Sequence, residues 1–285
     1  MRDERKAAST MSTFPAIPLD PQGETEPDYI DVNGVKTAYR RSGSGEPLVF
    51  IHGMGLANSW LSSEAKLAEH FDVIAPQLPG FGKTARPAWY RTLDDFVVHL
   101  ADVLNAFGLD KVHLVGHSLG GITVGAFAAT YPERIASLTV VAPLPLPVVI
   151  APELVGTHDG PAPANLMEML FNETWEQYPH LETAGDLGLF ISEADDDFSD
   201  PEKFSLEPSA GLYRRLDRIT APRQVIVPDH DYVAPEPTGT DWAHWLKAPL
   251  VKISGTGGAT TGHMLTEQEP DAYVAAIVAL AEQAK

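Results

Sequence analysis

A doubly wound, mostly parallel α/β sheet of eight strands with a short helical lid is the fold class this sequence predicts. Three observations point to it. The unbroken apolar run at 47–51 and the short strand-forming runs at 72–76 and 111–115 have the length of strands buried in a parallel sheet. Helical periodicity fills the stretches between such runs, most clearly over 92–109, where Phe96, Val97, Leu100, Val103, Leu104 and Phe107 share one face. The pentapeptide Gly116-His117-Ser118-Leu119-Gly120 joins a strand directly to a small-residue helix. Strands alternating with helices form parallel sheets covered on both faces.

The elements follow in order. Residues 1–28 are polar and proline-rich and read as a flexible tail. Strands at 29–33 and 35–41 meet at Asn33-Gly34, a tight hairpin signal. The strand at 47–51, a helix at 62–71 and the strand at 72–76 come next, then a Gly/Pro-rich loop at 78–84. The helix over 92–109 opens on Thr92-Leu93-Asp94-Asp95, with the acidic first turn that a helix start favours. A strand over 136–142 follows the small-residue helix. Alternation then lapses over 144–210, whose apolar residues need a surface to cover; this stretch reads as a lid, and its acidic run at 193–197 as solvated surface. Alternation resumes with a short helix at 212–219, a strand at 224–227, a helix at 241–246, a strand at 250–253 and a closing helix at 270–283. Residues 29–143 and 211–285 thus form one core domain, interrupted by the insertion.

Composition narrows the function. Acidic residues outnumber basic ones 39 to 20, for a formal charge of −19. That field repels phosphate backbones and anionic lipid, so neither nucleic acid nor a membrane is an expected partner. There is no cysteine, which removes thiolate catalysis and Cys-ligated metal. No apolar run reaches membrane-spanning length, and the first residues lack the apolar stretch of a secretory signal. The expected location is cytoplasmic. A homo-oligomer is left open, and no cofactor or metal is expected.

A bare G-x-S-x-G in a chain with 23 glycines is compatible with a plain strand-to-helix turn. Other residues give it meaning. A serine hydroxyl needs an imidazole base, itself oriented by a carboxylate. In a doubly wound sheet such groups meet at the carboxyl ends of strands. The strand at 224–227 runs into Pro228-Asp229-His230-Asp231, offering two acids, and the strand at 250–253 runs into a glycine-rich loop ending Gly262-His263-Met264. The order Ser118, Asp, His263 is one of the known triad orders. His52-Gly53-Met54-Gly55 follows a buried strand where an oxyanion loop belongs; the backbone N–H groups of Met54 and Leu119 are the candidate donors. His52 is expected to order this loop, His117 to pack beneath the turn, and His113 to be satisfied in the core.

With these residues in hand, the chain resembles the α/β-hydrolase superfamily over roughly residues 29–284, in its serine-nucleophile esterase or haloperoxidase-like branch. The resemblance rests on Phe50-Ile-His-Gly-Met-Gly55, Val73-Ile-Ala-Pro-Gln-Leu-Pro-Gly-Phe-Gly82, Val115-Gly-His-Ser-Leu-Gly-Gly121, Pro228-Asp-His-Asp-Tyr-Val-Ala-Pro235 and Gly262-His263. It implies that Asp231, not Asp229, is the acid, because a small apolar residue and proline follow it at the motif's spacing. It also implies cleavage of a small ester or lactone through an acyl-enzyme. Carbon–carbon bond hydrolysis, amide hydrolysis, cofactor-free perhydrolysis and, outside catalysis, a ligand receptor are the alternatives. Trp60, Met167, Phe171, Trp175, Phe190 and Met264 are the candidate pocket residues for a neutral or hydrophobic small molecule. Two departures stand out. Gln77 replaces the family's usual Asp, predicting altered loop hydrogen bonding, and residues 255–262 form a longer loop than usual before His263.

Overall fold

The computed structural model describes residues 13–21, 23–145, 163–182, 211–234 and 236–285. Its strands are β1 (Thr13–Phe14), β2 (Asp28–Val32), β3 (Val35–Ser44), β4 (Pro47–Ile51), β5 (Asp72–Pro76), β6 (Val112–His117), β7 (Ile135–Val141), β8 (Arg223–Val227) and β9 (Leu250–Lys252). They form a single sheet in the order β1-β3-β5-β4-β6-β7-β8-β9, with β2 paired to β3 off this path. Pairing is parallel from β5 through β9 and antiparallel wherever β3 takes part.

The period of two in the central strands explains the layering. Val49 and Ile51 of β4 point into one apolar cluster, whereas Leu48 and Phe50 point into another. The first cluster is closed by α2 (Leu93–Ala106) and α3 (Leu119–Thr130), the second by α1 (Ser62–Leu67). Farther along the chain come α4 (Leu166–Phe171), α5 (Pro179–Glu182), α6 (Leu212–Arg215), α7 (Thr238–Leu246), α8 (Leu265–Gln268) and α9 (Pro270–Glu282). Trp242 and Leu246 of α7 join the α2–α3 side; Tyr273, Val274 and Ile277 of α9 join the α1 side. Every residue of β6 is buried, as a strand covered on both faces requires.

Two expectations need correction. The sheet has nine strands, because Thr13–Phe14 pairs with Ser44 and Gly43 of β3. The stretch read as a tail is therefore docked from residue 13 onward; residues 1–12 lie outside the described residues. A buried ion pair adds to that docking. Arg40 Nη2 lies 2.8 Å from Asp20 Oδ2, and the same guanidinium donates to Thr25 Oγ1 at 2.8 Å and to the Asn58 carbonyl at 3.1 Å. The Asp20 backbone exchanges two hydrogen bonds with Trp60, each 2.9 Å. Polar composition hid this, because the apolar content that marks a strand is replaced here by ionic and backbone bonding. Of the lid stretch, only 144–145 and 163–182 are described; the acidic run at 193–197 lies outside.

A pair of carboxyl groups joins α1 to α8. Glu267 Oε1 accepts the Ser63 N–H at 3.0 Å and its Oε2 the Ser62 N–H at 3.1 Å, while Glu64 Oε2 accepts the Leu61 N–H at 3.1 Å. Burial, and then the neighbouring charge of Glu267, pushes Glu64 up from 4.5 to about 7.

Two outcomes are expected. Asp20→Ala strands the buried Arg40 cation and lowers unfolding free energy in urea by about 3–5 kcal/mol; an unchanged midpoint shows that this stretch contributes nothing. The folded protein holds a proton on Glu64 that the unfolded chain has released between pH 4.5 and about 7. Stability therefore declines as pH rises through that window, by up to about 3 kcal/mol. Glu64→Gln flattens this decline in thermal melts taken across the window.

Candidate active site

The turn at Ser118 is built by close backbone approach. Its φ of 56° and ψ of −116° are a strained conformation for a residue with a side chain. A Cβ on Gly120 would stand 2.0 Å from the Ile51 carbonyl oxygen, and one on Gly116 would stand 2.2 Å from that of Gly120. Only glycine permits β4, β6 and α3 to approach this closely. Ser118 N–H donates to the Val141 carbonyl at 2.9 Å, which fixes the turn against β7.

The loop after β4 lies alongside. A Cβ on Gly53 would reach to 3.1 Å of Ser118 Cβ, so residues 53 and 118 are neighbours in space. His52 orders this loop as expected. Leu78 N–H donates to its Nε2 at 3.0 Å, so Nδ1 carries the proton and donates to the Gly53 carbonyl at 2.7 Å. Burial lowers His52 to about 4, so the ring stays neutral. Met54 packs on the α2–α3 cluster, and Leu119 is the first residue of α3, where backbone N–H groups lack an intrahelical acceptor.

Asp231 and His263 meet at the ends of β8 and β9. His263 Nδ1 is 2.9 Å from Asp231 Oδ2 and 3.1 Å from Oδ1, with both residues buried. Oδ1 also accepts the Val233 and Ala234 N–H groups at 2.8 and 2.9 Å. Burial alone would raise the Asp231 carboxyl, but His263 and these backbone donors hold it below the usual carboxylate range. His117 Nε2 donates to the His263 carbonyl at 2.9 Å, and the two rings lie 4.8 Å apart. The residue preceding Ser118 therefore grips the residue that bears the second imidazole. Burial, then the His263 charge, lowers His117 to about 3.

The rival acid has another task. Asp229 accepts from Ser254 Oγ at 2.7 Å, Gly255 N at 3.0 Å and Thr261 N at 3.3 Å, with Lys252 Nζ at 3.6 Å. It gathers the long loop before His263 at both ends. Gln77 also departs as expected, donating to Asn58 Oδ1 at 2.9 Å and accepting the Lys83 N–H at 2.6 Å. His113 is satisfied by Ser137 Oγ at 2.8 Å.

The candidate pocket residues divide. Met167, Phe171, Trp175 and Met264 gather in one apolar cluster with Leu61, Leu170 and Val233, beside the stretch that carries His263. Trp60 does not join them: it is fully buried in the α1–α9 cluster, with its backbone paired to Asp20. Phe190 lies outside the described residues. The sequence reading missed Asn172, Glu173 and Gln268, which bond to the loop before His263. These contacts cross 88 residues in the case of Asn172 and Thr260, and no local pattern announces them.

Comparison with known proteins agrees with the fold. Residues 46–180 match the model of the alpha/beta hydrolase fold family. A 110-residue stretch is 39% identical to 2-hydroxy-6-oxo-2,4-heptadienoate hydrolase of Pseudomonas putida, covering 37% of this chain and 40% of that one. A 131-residue stretch is 35% identical to 2-hydroxy-6-oxo-6-(2'-aminophenyl)hexa-2,4-dienoic acid hydrolase of Metapseudomonas resinovorans, covering 44% and 45%. The matched stretches thus span less than half the length of these relatives. Among solved structures, 2-hydroxy-6-oxo-6-phenylhexa-2,4-dienoate hydrolase of a Rhodococcus species superposes with a TM-score of 0.68 at 21% identity, over 90% of this chain and 98% of the other. A thermophilic esterase of Thermogutta terrifontis gives a TM-score of 0.65 at 21% identity, over 91% and 99%. These likenesses share the fold, not an activity. No helix among the described residues is long and apolar enough to cross a membrane. The matched stretch and the shared architecture show that the chain has the α/β-hydrolase fold.

Proposed function

We propose that the protein is a serine hydrolase that cleaves a small carboxylic ester or lactone through an acyl-enzyme. The observation that carries this reading is the buried hydrogen bond of 2.9 Å between His263 Nδ1 and Asp231 Oδ2, formed next to a strained serine turn. With Nδ1–H donating to the carboxylate, Nε2 of the neutral ring is left as the base.

In this mechanism Ser118 Oγ attacks the acyl carbon and passes its proton to His263 Nε2. The carbonyl oxygen becomes an oxyanion, stabilised by the N–H groups of Met54 and Leu119. Collapse breaks the bond to the leaving oxygen, which takes the proton from Nε2. Water, deprotonated by the same nitrogen, then attacks the acyl-Ser118 ester; the second collapse releases the acid and returns the proton to Ser118. Asp231 fixes the imidazole tautomer and stabilises the imidazolium. The apolar side chains of Met167, Phe171, Trp175 and Met264 suit a hydrophobic acyl or alkyl group.

A second reading is hydrolysis of a carbon–carbon bond in a vinylogous diketone, favoured by the named activities of the dienoate hydrolases. The same residues would serve, with a carbon leaving group protonated in place of an oxygen. Against it stands the net charge of −19, which disfavours capture of an anionic dienoate.

Assays of p-nitrophenyl esters, lactones and a vinylogous diketone on wild type and variants separate the readings. Ester or lactone turnover is expected, with Ser118→Ala lowering kcat by about 10⁶; near wild-type turnover in that variant rules out the nucleophile. Asp231→Asn is expected to lower kcat by about 10⁴, and Asp229→Asn by far less. The reverse order would exchange the two acids' roles.

A further inference from the structure

Acid and base stand on separate loops, and β8 and β9 stop pairing before either is reached. Their last paired residues are Val227 and Lys252. The carboxyl group and the imidazole are 32 residues apart in sequence, so something beyond the sheet has to set their separation.

The chain segment 170–174 lies across both loops. Asn172, buried at the start of the 3-10 helix Asn172–Gln177 that follows α4, points its amide nitrogen at three acceptors. These are the His230 carbonyl at 3.1 Å, the Thr261 carbonyl at 2.9 Å and Thr260 Oγ1 at 3.1 Å. His230 directly precedes Asp231, and Thr261 stands two residues before His263. The neighbours of Asn172 reinforce the contact. Leu170 accepts the Met264 N–H at 3.0 Å, Glu173 accepts Thr260 N–H at 2.6 Å and Thr260 Oγ1 at 2.7 Å, and Phe171 accepts from Gln268 Nε2 at 2.9 Å.

Asn172 carries two local costs for this placement. Its φ of 52° lies in the left-handed region, and its Oδ1 is buried with no hydrogen-bond partner among the described residues. Neither cost benefits α4 itself. Both are explained if the gain lies in joining the two loops.

We propose that Asn172 is a positioning residue that clamps the Asp231 and His263 loops together and so sets the geometry of the acid–base pair. The inference rests on the triad reading above. The clamp acts through backbone carbonyls, so its effect reaches the reaction only by way of the imidazole. Small displacements at that level have large consequences, since about 1 Å of misplacement costs about 10²-fold in rate.

The test compares wild type with Asn172→Ala, Asn172→Gly and Glu173→Ala. The Gly variant removes the clamp while relieving the backbone, and the Glu173 variant loosens only the exposed Thr260 contact. For Asn172→Ala and Asn172→Gly, kcat is expected to fall about 10- to 100-fold with KM nearly unchanged, and the lower limb of the kcat/KM pH profile to move to lower pH as Asp231 supports the imidazolium less. Glu173→Ala should show a smaller effect of the same sign. In the resting protein, the low-field proton resonance of His263 Nδ1 should weaken or shift in step. Folded variants with wild-type kcat, pH limb and Nδ1 resonance would overturn the clamp. If the Asn172 variants do not fold, an unmoved pH limb and resonance in Glu173→Ala overturns it equally. Ser118→Ala, run in parallel, keeps the two failures distinct: an active Ser118→Ala defeats the triad reading, while the resonance still reports the clamp.

Discussion

The contact between Gly120 and the Ile51 carbonyl is the constraint on which the rest of the site depends. No side chain fits there: a Cβ would stand only 2.0 Å from the oxygen. Because the backbones close to that distance, α3 begins directly over the end of β4 and β6 turns sharply into it. The strain this leaves at Ser118, about 1–3 kcal/mol, is offset by the packing of a fully buried strand and helix. The same closeness makes residues 53 and 118 neighbours, so the loop after β4 lies beside the turn that opens α3.

Electrostatics at this end of the sheet follow from burial. His117 lies against His263, and burial keeps both His117 and the loop residue His52 neutral, at about 3 and about 4. A proton taken up by His263 therefore faces no neighbouring imidazolium, while the Asp231 carboxylate lies within 2.9 Å. Neutrality also fixes tautomers: His52 and His117 each spend one N–H on a backbone carbonyl, of Gly53 and of His263 respectively. They thereby position the two loops whose residues bear the proposed chemistry.

Much of this was legible in the sequence because the signals are local. The G-x-S-x-G turn, the apolar strand runs and the residues just beyond β4, β8 and β9 carry their meaning within a few positions, so the fold class and the meeting of an acid after β8 with His263 could be read directly. What escaped depends on distant partners. Asp20 looks like tail until Arg40 appears 20 residues later to pair with it. Trp60 resembles a pocket residue until the fold packs it into the core cluster with α1 and α9. Asn172 sits in a polar stretch with no motif, and its partners are 58 to 89 residues away. Asp229 and Asp231 differ by two positions; the family resemblance pointed to Asp231, and folding shows that Asp229 gathers a loop while Asp231 holds an imidazole.

The central claim is that Ser118 is the nucleophile activated by His263. Intact-mass spectrometry after exposure to a fluorophosphonate, followed by peptide mapping, tests it most directly. The account predicts a single adduct per chain on Ser118, formed rapidly in wild type and lost in His263→Ala. An unmodified Ser118, or an adduct that forms equally fast without His263, would contradict it.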